Sequence, residues 1–230
     1  MLGWIGRHGV VTAEQVRRKF FARPGIEGRR AALRRLQILE ELGLIRRDAT
    51  PFASSPRVIR VTIPGARVGE VSVAPARLVE SELRHALALV DLVEELAIAY
   101  PQAELETERE LRQERYRGRV GGERLDARGR CPDALLTMPA GEKIAIELEL
   151  TPKRSVDYER IFRAYGHEGV DQVWMYVVPR ATALVRRVVR ETRNQGFVHV
   201  LGWKGARTGE PEPERVGRHS RPSAAPIQGA

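Results

Sequence analysis

The sequence predicts an α/β (α+β) protein in which a small helical N-terminal unit precedes a larger unit built on a mixed β-sheet. Three observations support this class. Apolar residues recur at helical spacing in the stretches 12–21, 28–42 and 76–100. Apolar and polar residues alternate strictly over residues 144–151, which is typical of a β-strand. A second apolar run at 172–178 has the composition of a covered neighbouring strand.

The N-terminal unit, residues 1–66, begins with two predicted helices. Apolar residues within its first ten positions indicate a short first helix. Thr12 is followed three residues later by Gln15, a spacing at which each side chain can cap the backbone N–H of the other. We expect the second helix to run to about Phe21 and to end at Arg23-Pro24-Gly25. The side chains expected in the core are Val16, Phe20 and Phe21.

A third helix is predicted for residues 28–42, because Gly43 supplies the left-handed residue that often ends a helix. Its apolar face comprises Ala32, Leu33, Leu36, Leu39 and Leu42, and its other face carries Arg29, Arg30, Arg34 and Arg35. Two short strands, at 44–47 and 57–63, follow around a polar turn. Three helices and a two-stranded hairpin in this order are typical of a winged helix-turn-helix.

Positive charge is concentrated in this unit. Residues 1–66 contain 13 Lys or Arg residues and 5 Asp or Glu residues, an excess of eight, while the whole chain has a net charge of +9. Such a basic segment is the electrostatic signature of nucleic-acid binding. A generally arginine-rich composition would instead spread the charge along the chain. A winged helix used for protein contacts is the other alternative.

We therefore expect the third helix to enter the major groove of double-stranded DNA, where arginines contact phosphates or guanine edges. The predicted DNA-binding residues are Arg29, Arg30, Arg34, Arg35, Arg46 and Arg47. The first four lie on the helix, and the last two lie in the first strand of the hairpin.

The second unit is predicted to follow a Gly- and Pro-punctuated linker at 67–75 and to end at residue 203. Its elements are a helix at 76–100, a strand at 103–111 with Glu108 near its end, an arginine-rich loop at 112–130, a hairpin around the turn at 139–142, a helix at 156–165, a strand at 172–178, a helix at 182–195 and a strand at 197–203. The loop arginines are either a second DNA contact or a solvated surface. His85 on the long helix is expected to be structural rather than a metal ligand. The composition of residues 204–230 predicts a disordered tail.

The stretch from Cys131 to Lys153 carries the predicted chemistry. Glu147 and Glu149 lie two residues apart on one strand, so their side chains share a face at a spacing of about 7 Å. Like charges this close repel each other unless a proton or a cation separates them. If the hairpin places Asp133 beside Glu147, three converging carboxylates suit Mg²⁺ or Mn²⁺. The alternative is that the two glutamates line the solvated face of an edge strand.

Composition excludes several classes of protein. Cys131 is the single cysteine, so an internal disulfide and a cysteine-based zinc site are excluded, and a cytoplasmic location is expected. No apolar run approaches the roughly 18 residues that a membrane span needs. The first residues lack the pattern of a signal peptide.

The order of these motifs resembles the PD-(D/E)XK nuclease fold. Pro132-Asp133 matches its first motif and Glu147 its second acidic position, whereas Glu149 stands where that fold usually has a lysine. Lys153 lies near enough in sequence to supply the missing positive charge. The layout of roughly residues 4–180 also resembles the replication-relaxation family of plasmid and mobile-element proteins. The matching pieces are the N-terminal winged helix, His85, Glu108, Pro132-Asp133, the segment 146–153 and Tyr165.

The resemblance implies DNA binding linked to the replication or transfer of a plasmid or mobile element. One hypothesis, which the displaced lysine favours, makes the nuclease-like domain a non-catalytic accessory scaffold. The other makes the protein a Mg²⁺-dependent endonuclease or nickase. Expected partners are double-stranded DNA, replication or mobilisation proteins, and a second copy of the chain in a homodimer.

The enzyme hypothesis gives each residue a role. Asp133 and Glu147 would hold Mg²⁺ or Mn²⁺, which polarises the scissile phosphate and activates a bound water. Glu149 would be a third metal ligand or the general base. Lys153 would stabilise the charge that develops on the phosphate, and Glu108 would be a supporting acid.

Overall fold

A computed structural model describes residues 1–21, 25–50, 57–117 and 130–205. Within these ranges, the N-terminal part contains α1 (Leu2–His8), β1 (Val11–Thr12), α2 (Ala13–Phe20), α3 (Gly25–Glu41), β2 (Ile45–Asp48), β3 (Val58–Val61) and α4 (Ile63–Val68). The strands form an antiparallel sheet in the order β1-β3-β2. The predicted succession of three helices and a hairpin is therefore present, and the short strand β1 joins the hairpin as an additional partner.

Local sequence signals set the limits of α2 and α3. The Thr12 hydroxyl accepts a hydrogen bond from the Gln15 N–H at 3.1 Å, and the Gln15 side chain accepts one from the Thr12 N–H at 2.9 Å. This confirms the predicted capping box. After α3, Gly43 adopts a φ of 68°, and the two hydrogen bonds that its N–H and the next N–H return to the helix form a Schellman motif.

The structure corrects several details of this unit. α3 begins at Gly25, three residues earlier than predicted. Phe20 and Leu33, which were expected in the core, expose 37% and 39% of their surface. For Leu33 the reason is that α3 buries only a narrow stripe, about one residue wide per turn, and Leu33 lies beyond its edge. That stripe consists of Gly28, Ala32, Leu36 and Leu39. The predicted end of α2 at Arg23 and Pro24 lies outside the described residues.

The start of the predicted linker is folded onto the N-terminal unit. The Thr62 hydroxyl caps α4 by accepting a hydrogen bond from the Gly65 N–H at 3.1 Å. A Cβ atom at Gly65 would lie 1.8 Å from the carbonyl oxygen of Leu44, so only a glycine lets α4 approach the hairpin this closely. Val71 packs against the N-terminal core, and Val73 is buried. The segment between the two units is therefore packed against the N-terminal unit, at least through Val73.

Within the described ranges, the second part contains α5 (Glu80–Ala99), β4 (Glu104–Thr107), α6 (Glu108–Arg117), β5 (Ala134–Thr137), β6 (Lys143–Glu149), α7 (Ser155–Gly166), β7 (Gln172–Val177), α8 (Pro179–Glu191) and β8 (Val198–Gly202). These strands form one mixed sheet in the order β4-β5-β6-β7-β8. β4, β5 and β6 are antiparallel neighbours, whereas β6, β7 and β8 run parallel through α7 and α8. The predicted α+β class is confirmed. None of the described helices is long and apolar enough to cross a membrane.

The strand predicted at 103–111 stops early, because a helix begins inside it. The Thr107 N–H donates to the Glu110 carboxylate at 2.8 Å, and the Thr107 hydroxyl accepts from the Glu110 N–H at 3.4 Å. This is a second capping box, and it starts α6 at Glu108. Part of the arginine-rich segment predicted as a loop is therefore helical. Residues 118–129 of that loop and the predicted tail from residue 206 lie outside the described residues.

Helices cover both faces of the mixed sheet. Apolar side chains of α5 pack against one face, and those of α7 and α8 pack against the other. β6 lies between β5 and β7, and Glu147 and Glu149 are each only 4% exposed. The alternative of a solvated edge strand is therefore wrong, since both edges of β6 are paired and its faces are covered.

α5 belongs to both parts of the molecule. Val90 packs in the N-terminal core, whereas Leu92 packs in the core of the mixed sheet. Between them, Asp91 accepts a hydrogen bond from the Gln15 side chain at 3.1 Å and pairs with Arg18. Gln15 also donates to the carbonyl oxygen of Leu87 at 2.8 Å. The residue that caps α2 therefore also fastens α2 to α5.

Glu94, one turn further along α5, is a second polar joint between the two parts. Trp4 Nε1 donates to one carboxylate oxygen at 2.7 Å, and Lys19 Nζ lies 2.6 Å from the other. Burial disfavours the charged carboxylate, but His8, Lys19 and Trp4 outweigh it and lower the pKa of Glu94 to about 2. Glu94 is therefore ionised wherever the protein is folded at ordinary pH.

We expect Gln15→Ala to lower the free energy of unfolding by about 1–3 kcal/mol, because it removes half of a helix cap and a donor to the buried Asp91. Gln37→Ala, at an exposed position on α3, is the matched control and should change stability by less than about 0.5 kcal/mol. Urea unfolding followed by circular dichroism measures both values. Equally small changes in the two variants would contradict a stabilising joint at Gln15.

Candidate functional site

Asp133 lies at the start of β5 and is held from the α5 side of the sheet. The pairing of Ala134 with Ile146, continued by one residue, places Asp133 opposite Glu147. The Asp133 carboxylate accepts a hydrogen bond from the Leu148 N–H at 2.7 Å and lies 3.2 Å from His85 Nε2. His85 Nε2 is also 3.0 Å from the Leu148 carbonyl oxygen. The imidazole and the end of β6 together fix this carboxylate.

The His85–Asp133 contact is a charged pair. The hydrogen bond to Asp133 raises the pKa of His85 to about 9, although burial acts in the opposite direction. The imidazole is therefore protonated at neutral pH. The His85 imidazolium therefore supplies the positive charge that faces Asp133.

Glu147 is held by Arg130 and by Tyr165 of α7. Arg130 donates to both of its carboxylate oxygens, at 3.0 and 2.6 Å, in the paired geometry that arginine forms with carboxylates. The Tyr165 hydroxyl donates a further hydrogen bond, and the Arg130 guanidinium lies 5.7 Å from the centre of the Tyr165 ring. Burial and the nearby Asp133 raise the pKa of Glu147, whereas Arg130 and Tyr165 favour its charged form.

Glu149, the last residue of β6, is paired with Lys153. Lys153 Nζ donates to one carboxylate oxygen, and the Thr151 N–H donates to the other at 3.3 Å. The Lys153 N–H donates to the Tyr158 hydroxyl at 3.1 Å, which ties the turn after β6 to α7. The lysine that sequence analysis found at a shifted position thus contacts the glutamate that occupies the usual lysine position.

The three carboxylates do not fit a shared metal ion as they are placed. Mg²⁺ and Mn²⁺ need oxygen ligands that converge on one point. Asp133, Glu147 and Glu149 instead direct their oxygens to three different basic side chains, His85, Arg130 and Lys153. Among the described residues, no group of three or more His, Cys, Asp or Glu side chains could hold a metal ion. A metal role for these residues stays a prediction.

A cleft of about 700 Å³ opens between the N-terminal part and the helices α5 and α6. His85, Glu108, Asp133 and Lys153, which sequence analysis singled out separately, all line this cleft. The buried Glu147 and Glu149 are not among its described lining residues. The structure therefore brings four of these residues together at one cleft, while Glu147 and Glu149 are buried beside it and Glu149 contacts Lys153.

Glu108 is tied to Asp133 through the main chain. The Glu108 N–H donates to the Asp133 carbonyl oxygen at 3.0 Å, which fixes the start of α6 beside β5. The Glu108 side chain pairs with Arg112 one turn along the helix. Glu108 thus lies at the cleft with its charge already balanced.

The predicted DNA-binding arginines fall into two groups. Those of α3 are all exposed, namely Arg29, Arg30, Arg34 and Arg35. Those of β2 pair with acids of the same unit, Arg46 with Asp48 at 2.8 Å and Arg47 with Glu40 at 2.9 Å. Arg46 still exposes 63% of its side chain, whereas Arg47 exposes only 21%.

Sequence analysis missed Arg130 as the partner of Glu147. It placed Arg130 at the end of a charged loop, and no local pattern links two residues that are 17 positions apart. The available signal was physical, because a glutamate on a covered strand requires a cation or a proton nearby. The arginines that line the cleft, among them Arg7, Arg77 and Arg109, were missed for the same reason.

We expect the stability difference between the wild type and His85→Asn to depend on pH. The folded-state pKa of His85 is raised to about 9, above the unfolded value of about 6.5. The His85–Asp133 pair therefore contributes fully below about pH 6.5, and its contribution is lost as the pH rises through about 9. Chemical unfolding of the wild type and of His85→Asn across this pH range measures the difference in their free energies of unfolding. His167→Asn, at an exposed position, is the control. A difference that does not change with pH would contradict the charged pair.

No curated protein and no solved structure matches the chain. A family model described as replication-relaxation matches residues 2–177, a range that includes the N-terminal unit, α5, the cleft residues and all of β6. The chain therefore belongs to the replication-relaxation family, which associates it with the replication or relaxation of plasmids and mobile elements.

Proposed function

We propose that this protein binds double-stranded DNA through its N-terminal unit, acting as a winged helix, in plasmid or mobile-element replication or transfer. The mixed-sheet unit is then a non-catalytic accessory scaffold. The observation that carries the proposal is the exposed arginine face of α3. The excess of eight positive charges in residues 1–66 supports it, because such a surface attracts the phosphate backbone.

Helix geometry arranges these arginines around one contact surface. Successive helix residues are rotated by about 100°, so Arg30 and Arg34 lie roughly opposite the buried stripe of α3. Arg29 and Arg35 lie nearer to its two sides. In a major groove, the central pair would reach base edges and the flanking pair would reach the phosphates on either side.

The hairpin arginines have a smaller part in this proposal. Arg47 is largely buried and is held by Glu40. Arg46 is exposed, and its ion pair with Asp48 is of the surface kind that contributes only about 0–1 kcal/mol. Arg46 can therefore exchange Asp48 for a phosphate at little cost.

The paired carboxylates support the accessory role. A metal-dependent nuclease needs carboxylates that are available to a cation. Breaking a buried ion pair by removing one partner costs about 3–5 kcal/mol, and Glu147 has such a pair with Arg130 as well as a hydrogen bond from Tyr165. A metal that recruited Glu147 would first have to displace both groups.

Replacing Arg30 and Arg34 together by alanine should weaken duplex binding. The salt dependence should become shallower by about one unit of slope for each of the two that neutralises a phosphate, and should stay unchanged for each that contacts only a base edge. The same measurement on Arg29→Ala with Arg35→Ala separates the two positions. If the flanking pair binds phosphates, its removal should flatten the salt dependence more than removal of the central pair. Fluorescence anisotropy with a labelled duplex at several salt concentrations gives these slopes.

Arg160→Ala with Arg187→Ala is the matched control, because these two exposed arginines lie on α7 and α8 and their removal changes the net charge equally. The control should bind duplex DNA like the wild type. If the α3 variants and the control variant bind duplex DNA equally weakly, the loss of binding follows from the change in net charge and not from the position of the arginines. Unchanged binding in both α3 variants would mean that α3 faces something other than DNA.

The endonuclease or nickase alternative keeps one supporting observation, which is that Glu108, Asp133 and Lys153 line the same cleft. The two functions differ in their response to metal. A metal that binds only the folded protein stabilises it by about 2.7 kcal/mol at a hundred times its Kd.

We expect millimolar Mg²⁺ or Mn²⁺ to leave the melting temperature unchanged and supercoiled plasmid intact, because each carboxylate already has a basic partner. Lys153→Ala removes the basic partner of Glu149. A metal-dependent rise in the melting temperature of this variant, absent in the wild type, would show that the Lys153–Glu149 pair excludes the metal. A metal-dependent rise in the melting temperature of the wild type, absent in Asp133→Ala, would support a metal site. Plasmid cleavage by the wild type that is lost in Asp133→Ala would contradict the scaffold proposal and support the endonuclease or nickase.

A further inference from the structure

The cleft between the two parts of the molecule has a basic rim. Its described lining includes five Lys or Arg residues and three Asp or Glu residues. Three of these bases pair with acids, Arg7 with Glu110, Arg112 with Glu108 and Lys153 with Glu149. Because the Arg112–Glu108 pair lies at the surface, Arg112 can exchange Glu108 for a phosphate at little cost. Arg77 is exposed at one side, and Arg112 exposes 68% of its side chain at the other. This rim suits an anionic ligand that carries more than one charge.

The inner wall of the same cleft is apolar. It is formed by Leu78, Val79, Leu83, Ala86 and Leu89, and Val79 exposes 44% of its surface there. An apolar wall beneath a basic rim is complementary to a nucleic-acid strand, in which charged phosphates carry flat, weakly polar bases. Unpaired nucleotides have this character, whereas a duplex turns its base faces inward.

The size of the cleft favours a single strand in the same way. A volume of about 700 Å³ falls within the range of about 300–1,000 Å³ that is usual for pockets around small ligands. It therefore accommodates a few nucleotides and not a turn of double helix.

The cleft also adjoins the proposed duplex-binding unit. Val58, the first residue of β3, packs against Leu78 and Leu83 of the cleft wall. Arg60 on the same strand donates to the Ala76 carbonyl oxygen at 2.5 Å. DNA held by the N-terminal unit would thus have the mouth of the cleft beside strand β3 of the hairpin.

We infer that the cleft binds a short segment of single-stranded DNA, with its phosphates on Arg77 and Arg112 and its bases against the wall formed by Leu78 and Val79. This inference rests on the proposed function for its choice of DNA as the ligand. It adds a second binding site, distinct from α3, and a second form of substrate. A protein with both sites would hold a junction between duplex and unpaired DNA.

The test compares two ligands and three double variants by fluorescence anisotropy. The probes are a labelled oligothymidylate of about twelve nucleotides, within the site sizes of about 4–16 nucleotides known for single-strand binding domains, and a short labelled duplex. The variants are Arg77→Ala with Arg112→Ala in the cleft, Arg30→Ala with Arg34→Ala on α3, and the control Arg160→Ala with Arg187→Ala. All six positions are exposed, and circular dichroism melting checks each fold.

We expect the cleft variant to bind the single strand about tenfold more weakly than the wild type, with a salt slope about 1.4 units shallower, since each single-strand phosphate contributes about 0.7. Its duplex binding should stay at the wild-type level. The α3 variant should show the reverse pattern, and the control should match the wild type with both probes.

Each other outcome overturns the inference. A wild type that does not bind the single strand, or a cleft variant that binds it no more weakly than the control, removes the site. An equal weakening of duplex and single-strand binding in the cleft variant makes the cleft part of a duplex surface. Failure of the proposed function is recognised separately, because it appears as duplex binding that is absent or unaffected by the α3 variant.

Discussion

The position of α5 between two hydrophobic cores is the constraint on which the rest of the structure depends. Val90 and Leu92 lie on different sides of the helix, and each side is covered by a different part of the chain. Asp91 and Glu94 fix the N-terminal unit against this helix through Gln15 and Trp4. Because α5 also carries His85 and three residues of the apolar wall of the cleft, Leu83, Ala86 and Leu89, its position sets the distance across the cleft.

The buried acids of β6 are each paired with a basic side chain of the protein. Two like charges on a covered strand would repel each other in a medium that screens them poorly. Arg130 and Lys153 arrive from the two chain segments that flank β5 and β6, so each carboxylate meets a cation of its own. Tyr165 and Tyr158 extend both pairs to α7. The acidic residues thereby act as fastening points between the sheet and the helix layer that covers it.

Sequence reasoning succeeded where the signal was local. Thr12 and Gln15 marked the start of α2, and the alternation through Glu147 marked β6. It failed at Thr107 and Glu110, although their capping signal was equally local, because the preceding residues alternate like a strand. Side-chain contacts between residues distant in the chain had no local sequence signal. The hairpin placed Asp133 opposite Glu147, but the direction of each carboxylate was decided by His85 and Arg130, which come from elsewhere in the chain.

The hydrogen bond from Trp4 to Glu94 has a practical consequence. The chain has three tryptophans, and the other two, Trp174 and Trp203, belong to the mixed-sheet unit. Trp4 alone spans the two parts, with its indole 4.8 Å from the His8 ring and bonded to a carboxylate of α5. In a variant with phenylalanine in place of Trp174 and Trp203, Trp4 is therefore the single tryptophan fluorophore, and it lies where the two parts of the molecule meet. Its emission would move to longer wavelength when the units part and water reaches the ring, which gives an optical record of domain separation without an added dye.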